Sequence, residues 1–228
     1  MAKPFSKTVI HNTDAKLSKQ VKQPLKTTQG TRKALTWRVV DIAVGAAVGV
    51  MSGVMFWVFD GLSYLFPLMT LILPGSAALL HALFYFPATL GSLIVRKPGA
   101  SAYVLLVASF VEVVLGTKYS VSLVVIALLQ AAAAEAVFAL FRYRRWTLGV
   151  TILSALAIGI VYNFYLLFFY YQAFMFFSPR GIIGTICELL SAVAFAGFGS
   201  WGMYCALRKS GVLSRFASSY KEHNEENA

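Results

Sequence analysis

The residues of this chain that could do chemistry are a small set of polar side chains inside long apolar runs. Glu112, Gln130, Glu135, Asn163, Glu188 and His81 are each flanked by apolar residues on both sides. An ionisable group in hydrocarbon costs roughly 2.5–3.5 kcal/mol on insertion scales, so each invites a functional reading. At 1.5 Å of helix rise per residue, His81 lies about 8 Å below the outer boundary of its run, Glu188 about 10 Å, Asn163 about 12 Å and Glu112 about 6 Å. Asp60 and Tyr119 mark the same surface, and Trp57, Tyr64, Tyr162, Tyr165 and Tyr170 stand at similar heights. Carboxylates beside aromatic faces suit a flat cationic or protonatable ligand, with cation–π attraction of about 0.5–2 kcal/mol added to the charge pairing. The alternative is that these groups pair with one another across helices and the rings form an interfacial belt. Glu135 sits about 10 Å from the inner boundary, with a hydrogen bond to a neighbouring span as its plain role.

The elements that must position these groups follow from composition. Of 228 residues 58% are hydrophobic and 13% charged, with a mean hydropathy of +0.70 and 18 Phe. That excludes an ordinary soluble domain, which carries about 25% charged residues. Six apolar runs are long enough to cross a bilayer: 39–59, 76–95, 100–115, 120–141, 147–171 and 181–207. The third is short and begins in the Pro98-Gly99 turn. Residues 61–74 are apolar but interrupted by Pro67 and Pro74, which predicts an interfacial or re-entrant lid. The fold class is therefore an all-α integral membrane bundle of six transmembrane helices.

The net charge of +11 reflects topology. Placed on alternate connections, eighteen basic residues fall on one side and Lys118 and Arg180 on the other. The positive-inside rule then puts both termini in the cytoplasm, and nucleic acid is not needed to explain the charge. Residues 1–36 read as a disordered basic cytoplasmic tail, 37–208 as the transmembrane substrate-binding domain and 209–228 as a polar cytoplasmic tail.

Two small-residue stripes direct helix packing. Asp41, Gly45, Gly49 and Gly53 recur every four residues on the first span, a doubled G-x-x-x-G that packs either on another helix of this chain or on a partner. Gly184, Glu188, Ala192, Ala196 and Ser200 recur likewise on the last span, which turns Glu188 into the bundle. Cys187 and Cys205, eighteen residues apart on that span, stand about 27 Å from each other and cannot bridge. No P-loop, H-E-x-x-H or G-x-S-x-G occurs, and the three histidines are scattered. No catalytic set, cofactor site or metal site can be named. An intramembrane enzyme and a self-sufficient secondary transporter of a small cation stand as alternatives to a binding subunit, although no internal repeat supports the transporter.

Five stretches together carry a family resemblance: Trp37-Arg38-Val39-Val40-Asp41, Arg96-Lys97-Pro98-Gly99-Ala100, Glu112 with Leu115-Gly116, Gln130 through Glu135, and Phe141-Arg142-Tyr143-Arg144-Arg145-Trp146. Over about residues 37–207 the chain resembles the YkoE family, substrate-binding (S) components of energy-coupling factor (ECF) transporters for thiamine or its hydroxymethylpyrimidine precursor. The resemblance implies a six-helix fold, vitamin capture near the outer face, and assembly in the bilayer with a membrane scaffold (T) component and cytoplasmic ATPases. It implies Glu112, Gln130 and Glu135 as matched positions, and Gly45, Gly49 and Gly53 as a surface for docking the scaffold. The substrate-binding set expected is thus Trp57, His81, Glu112, Tyr119, Gln130, Glu135, Asn163 and Glu188. The chain departs from the family pattern at Thr117-Lys118-Tyr119, where Tyr119 replaces Trp, at Leu105, which replaces an acid, and at the alanines between Gln130 and Glu135, which replace glycines.

Overall fold

The computed structural model describes residues 36–65, 68, 71, 75–117, 121–170 and 177–211. The basic tail expected over 1–36 lies outside them except for Thr36. So do 212–228, Tyr119 and half of the 61–74 segment.

The described residues form helices, as hydrocarbon requires, because only a helix satisfies the backbone within one segment. Helix α1 (Val39–Gly61) runs into a 3-10 turn (Leu62–Leu65). A second 3-10 turn (Ser76–Leu80) leads through His81 into α2 (Ala82–Val95). Then come α3 (Ala100–Val114), α4 (Val121–Leu140) and α5 (Leu148–Phe169). The last segment is continuous: α6 (Pro179–Ser191), a π-helical stretch (Ala192–Gly199) and α7 (Ser200–Lys209). Five of these segments are long and apolar enough to cross a membrane; α3, at 15 residues, is shorter. Its brevity has a local cause, since Gly99 and Gly116 bracket it with φ of +84° and +94°.

Helix α2 is the centre, packed against α1, α3, α4, α5, the π stretch and α7. Every side chain from Pro87 to Val95 is buried. α1 lies along α3, and the glycine stripe is the reason. A Cβ on Gly45 would stand 2.8 Å from the Tyr103 ring, one on Gly49 2.7 Å from Val107, and one on Gly53 would collide with the Ala108 carbonyl. The face that the resemblance assigns to a docking scaffold is therefore covered within the chain by α3, because these glycines are what allow the two backbones to approach.

The π stretch preserves the inward face of the last segment. In an α-helix a four-residue spacing drifts by about 40° per step, and the wider i→i+5 turn takes that drift back. Glu188, Ala192, Ala196 and Ser200 are all fully buried as a result. Two hydroxyls fasten this segment to α2. Thr89 Oγ1 lies 2.9 Å from the Ala196 carbonyl and 2.7 Å from Ser200 Oγ, and Ser200 Oγ donates to the Phe86 carbonyl at 3.1 Å.

The stretches that carry the family resemblance meet largely at one end of the bundle. Arg96, left-handed at φ 52°, lies between the Trp146 and Tyr204 rings, 5.7 and 5.5 Å from their centroids. Trp37 Nε1 donates to the Pro98 carbonyl at 3.0 Å. Asp41 caps α1 by accepting from the Arg38 amide at 3.0 Å. Lys97 is buried near Asp41; burial pushes its ammonium pKa down while the carboxylate pulls it up. Glu135 accepts from the Ser101 amide at 2.9 Å and the Tyr143 hydroxyl at 2.6 Å, and burial with that bond pushes the Tyr143 pKa up. Arg142, Arg144, Arg145, Arg208 and Lys209 are exposed at this same end, so the described basic residues other than Arg180 gather there.

Candidate functional site

The opposite end of the bundle holds a cavity of about 290 Å³, close to the small end of ligand pockets, roughly 300–1,000 Å³. α1 contributes Phe56 and Asp60, the turn after it Ser63, and the entry to α2 His81 and Phe84. α3 contributes Leu105, Ser109 and Glu112; α4 contributes Leu123, Ile126, Ala127 and Gln130; Tyr162, Leu166 and Tyr170 close the wall from α5 and its end. The i, i+4 and i, i+3 spacings of Phe56/Asp60 and Leu105/Ser109/Glu112 put each set on one helical face.

Two atoms in this wall have no partner among the described residues. Glu112 Oε1 and Gln130 Nε2 are buried without a hydrogen bond, on residues 1% and 3% exposed. An unsatisfied buried polar group costs about 1–3 kcal/mol, more when charged. One is an acceptor on α3 and the other a donor on α4, so the site holds open a complementary pair. Asp60 adds a second carboxylate, which accepts from Thr117 Oγ1 at 3.1 Å. No Lys or Arg is among the described residues lining the cavity, and its field favours a positive or hydrogen-bond-donating guest.

Glu188 stands behind this wall. Its Oε2 is 2.5 Å from His81 Nδ1, and its Oε1 accepts from the Tyr85 hydroxyl at 2.9 Å. Tyr162 meets His81 edge-on at 5.3 Å and Tyr85 at 5.9 Å. A smaller cavity of about 60 Å³ shares His81 and Leu166 with the first and is lined by Asn163, Arg180, Gly75 and Gly184 among others. Asn163 Nδ2 donates to Thr185 Oγ1 at 3.0 Å.

The structure therefore brings together three of the expected residues, His81, Glu112 and Gln130, at one cavity. Trp57, 44% exposed, is turned to the outside of α1 while its neighbour Phe56 faces in. Asn163 belongs to the smaller cavity, and both oxygens of Glu188 are occupied. Glu135 lies at the other end of the bundle, bonded to Ser101 and Tyr143. Tyr119 lies outside the described residues. Phe56, Phe84, Ser109 and Asp60 were not in the expected set. Their signal was the one-face spacing with a known polar residue, which depth alone does not use. Leu105, a departure from the family pattern, lines the cavity.

A family model described as ABC-type cobalt transport system, permease component, matches residues 40–161, more than half of the chain. The chain belongs to this family. It is a multi-pass transport component of the bacterial plasma membrane, and its relatives are transport proteins rather than enzymes. YkoE of Bacillus subtilis (strain 168), named as an HMP/thiamine permease protein, is 24% identical over 183 residues, which cover 80% of this chain and 90% of that one. A crystal structure of an S-component of an ECF transporter superposes with a TM-score of 0.75 at 23% identity, over 84% of this chain and 96% of that chain. The fold is thus an S-component fold. Among the described residues no three His, Cys, Asp or Glu side chains group as a metal ion would require.

Proposed function

We propose that this chain is the substrate-binding subunit of an ECF-type importer and captures thiamine or hydroxymethylpyrimidine from outside the cell. A membrane scaffold and cytoplasmic ATPases would supply the energy of transport, since the chain has no P-loop. The observation that carries the reading is the unpartnered pair Glu112 Oε1 and Gln130 Nε2. An aminopyrimidine presents an exocyclic N–H and a ring nitrogen, which call for one acceptor and one donor in the cavity wall. Phe56, Phe84, Tyr162 and Tyr170 offer ring faces, and Asp60 and Glu112 suit the cationic thiazolium of thiamine. The cavity lies at the end away from Arg96, Arg142, Arg144, Arg145 and Arg208, which the positive-inside rule makes the outer side, with both termini in the cytoplasm. Because α3 covers Gly45, Gly49 and Gly53, the scaffold would meet another face of the bundle.

Calorimetric titration of the purified chain in nanodiscs tests this reading. Saturable binding of thiamine or hydroxymethylpyrimidine is expected, as is a retained small molecule in native mass spectrometry. A folded preparation that binds neither compound refutes the substrate. Uptake by proteoliposomes holding this chain alone, driven by an ion gradient, would instead establish a self-sufficient transporter.

A further inference from the structure

His81 lines both cavities, and its Nδ1 lies 2.5 Å from Glu188 Oε2. Glu188 and Tyr85 are fully buried and line neither cavity. The Nδ1 edge of the ring is therefore turned away from open space, and Nε2 is the ring nitrogen left for a guest. The arrangement is held from three helices. Tyr85 on α2 donates to the second oxygen of Glu188 on α6. Tyr162 on α5 packs edge-on against both His81 and Tyr85. Gly159 makes room for the Tyr85 hydroxyl, which a Cβ there would approach to 3.2 Å.

An ionised carboxylate can only accept, so Nδ1 must carry a proton, and in a neutral imidazole Nε2 is then an acceptor. We propose that His81 Nε2 is a specificity-determining hydrogen-bond acceptor for the guest of the main cavity, and that Glu188 is the positioning residue that fixes this tautomer without touching the guest. The proposal deepens the function given above and rests on it for the choice of probe. With Asp60 and Glu112 it gives the cavity three acceptors, so the guest class is a small cation or heterocycle with N–H or O–H groups on more than one edge. Thiamine, with its amine and its hydroxyl, is of that class. The charged and titratable groups around the ring are Glu188 on α6, Tyr85 on α2, Tyr162 on α5, Asp60 and Glu112 across the main cavity, Tyr170 at its rim and Arg180 on the smaller cavity.

With His11→Gln and His223→Gln, His81 is the single histidine, and 15N-histidine labelling in nanodiscs reports its two nitrogens. The expected form has Nδ1 protonated and Nε2 bare, with the Nε2 signal moving on addition of thiamine. His81→Gln is expected to weaken thiamine binding at least tenfold. Glu188→Gln, with a melt showing a folded chain, is expected to lose the tautomer preference. An Nε2–H tautomer with Glu188 intact overturns the proposal, as does an Nε2 signal unmoved by saturating thiamine. If neither thiamine nor hydroxymethylpyrimidine binds, the Nδ1–H tautomer upholds the assignment of Glu188 while the proposed function fails, and the Nε2–H tautomer overturns both.

Discussion

Glu112→Gln should move stability and binding in opposite directions. In the empty chain Glu112 is 1% exposed with one oxygen unpartnered, a burden of about 1–3 kcal/mol. The neutral isostere keeps the shape and removes the buried charge, so the empty variant should be more stable than wild type by about that amount. Binding loses a hydrogen bond to a charged group, about 1.5–3 kcal/mol, which weakens the dissociation constant about 10- to 150-fold. The two effects produce a crossing when the empty-state gain is below the difference in ligand stabilisation, about 2.3 kcal/mol. With thiamine at 100 times the wild-type Kd, wild type gains about 2.7 kcal/mol, whereas a variant binding 100-fold more weakly gains only about 0.4 kcal/mol. Unfolding of both chains in nanodiscs, with and without thiamine, reads the crossing, and calorimetry gives the Kd ratio. A variant less stable when empty and unchanged in binding would refute the reasoning, because Glu112 would then be a satisfied structural acid.

Four further outcomes test the packing and its hydrogen bonds. Gly53→Ala pushes a methyl into the Ala108 carbonyl and Val111 and should destabilise the bundle by about 1–3 kcal/mol. Gly149→Ala, with nothing within 4 Å, should be neutral or stabilising by up to about 1 kcal/mol in the same melt. Thr89→Val leaves the Ala196 carbonyl without its hydroxyl donor and should cost about 1–3 kcal/mol while sparing Glu112-dependent binding. Tyr143→Phe deletes the bond to Glu135. Because the folded chain raises the Tyr143 pKa, that bond stabilises fully below the ordinary tyrosine pKa of about 10 and is lost as pH rises through the raised value. The stability gap between wild type and Tyr143→Phe should hold from about pH 7 to pH 9 and close at strongly alkaline pH.

The segments and the gathering of basic residues at one end were legible in the sequence because each is a sum along the chain. A helix must satisfy its own backbone in hydrocarbon, so apolar length predicts a span without any tertiary contact. The doubled G-x-x-x-G likewise marked close packing, and the inward turn of Glu188 followed from its four-residue spacing. What the sequence left open was which partner each of these features meets. The glycine stripe takes α3 of the same chain, and Glu188 takes His81 and Tyr85. Depth placed His81, Glu112, Asn163 and Glu188 in one layer, yet the fold distributes them among a cavity, a smaller cavity and a buried network. Each helix can turn about its axis without changing the depth of any residue. That rotation is set by side chains on neighbouring helices, including a π stretch that no hydropathy pattern announces. Convergence of polar groups was therefore a decision of the tertiary structure alone.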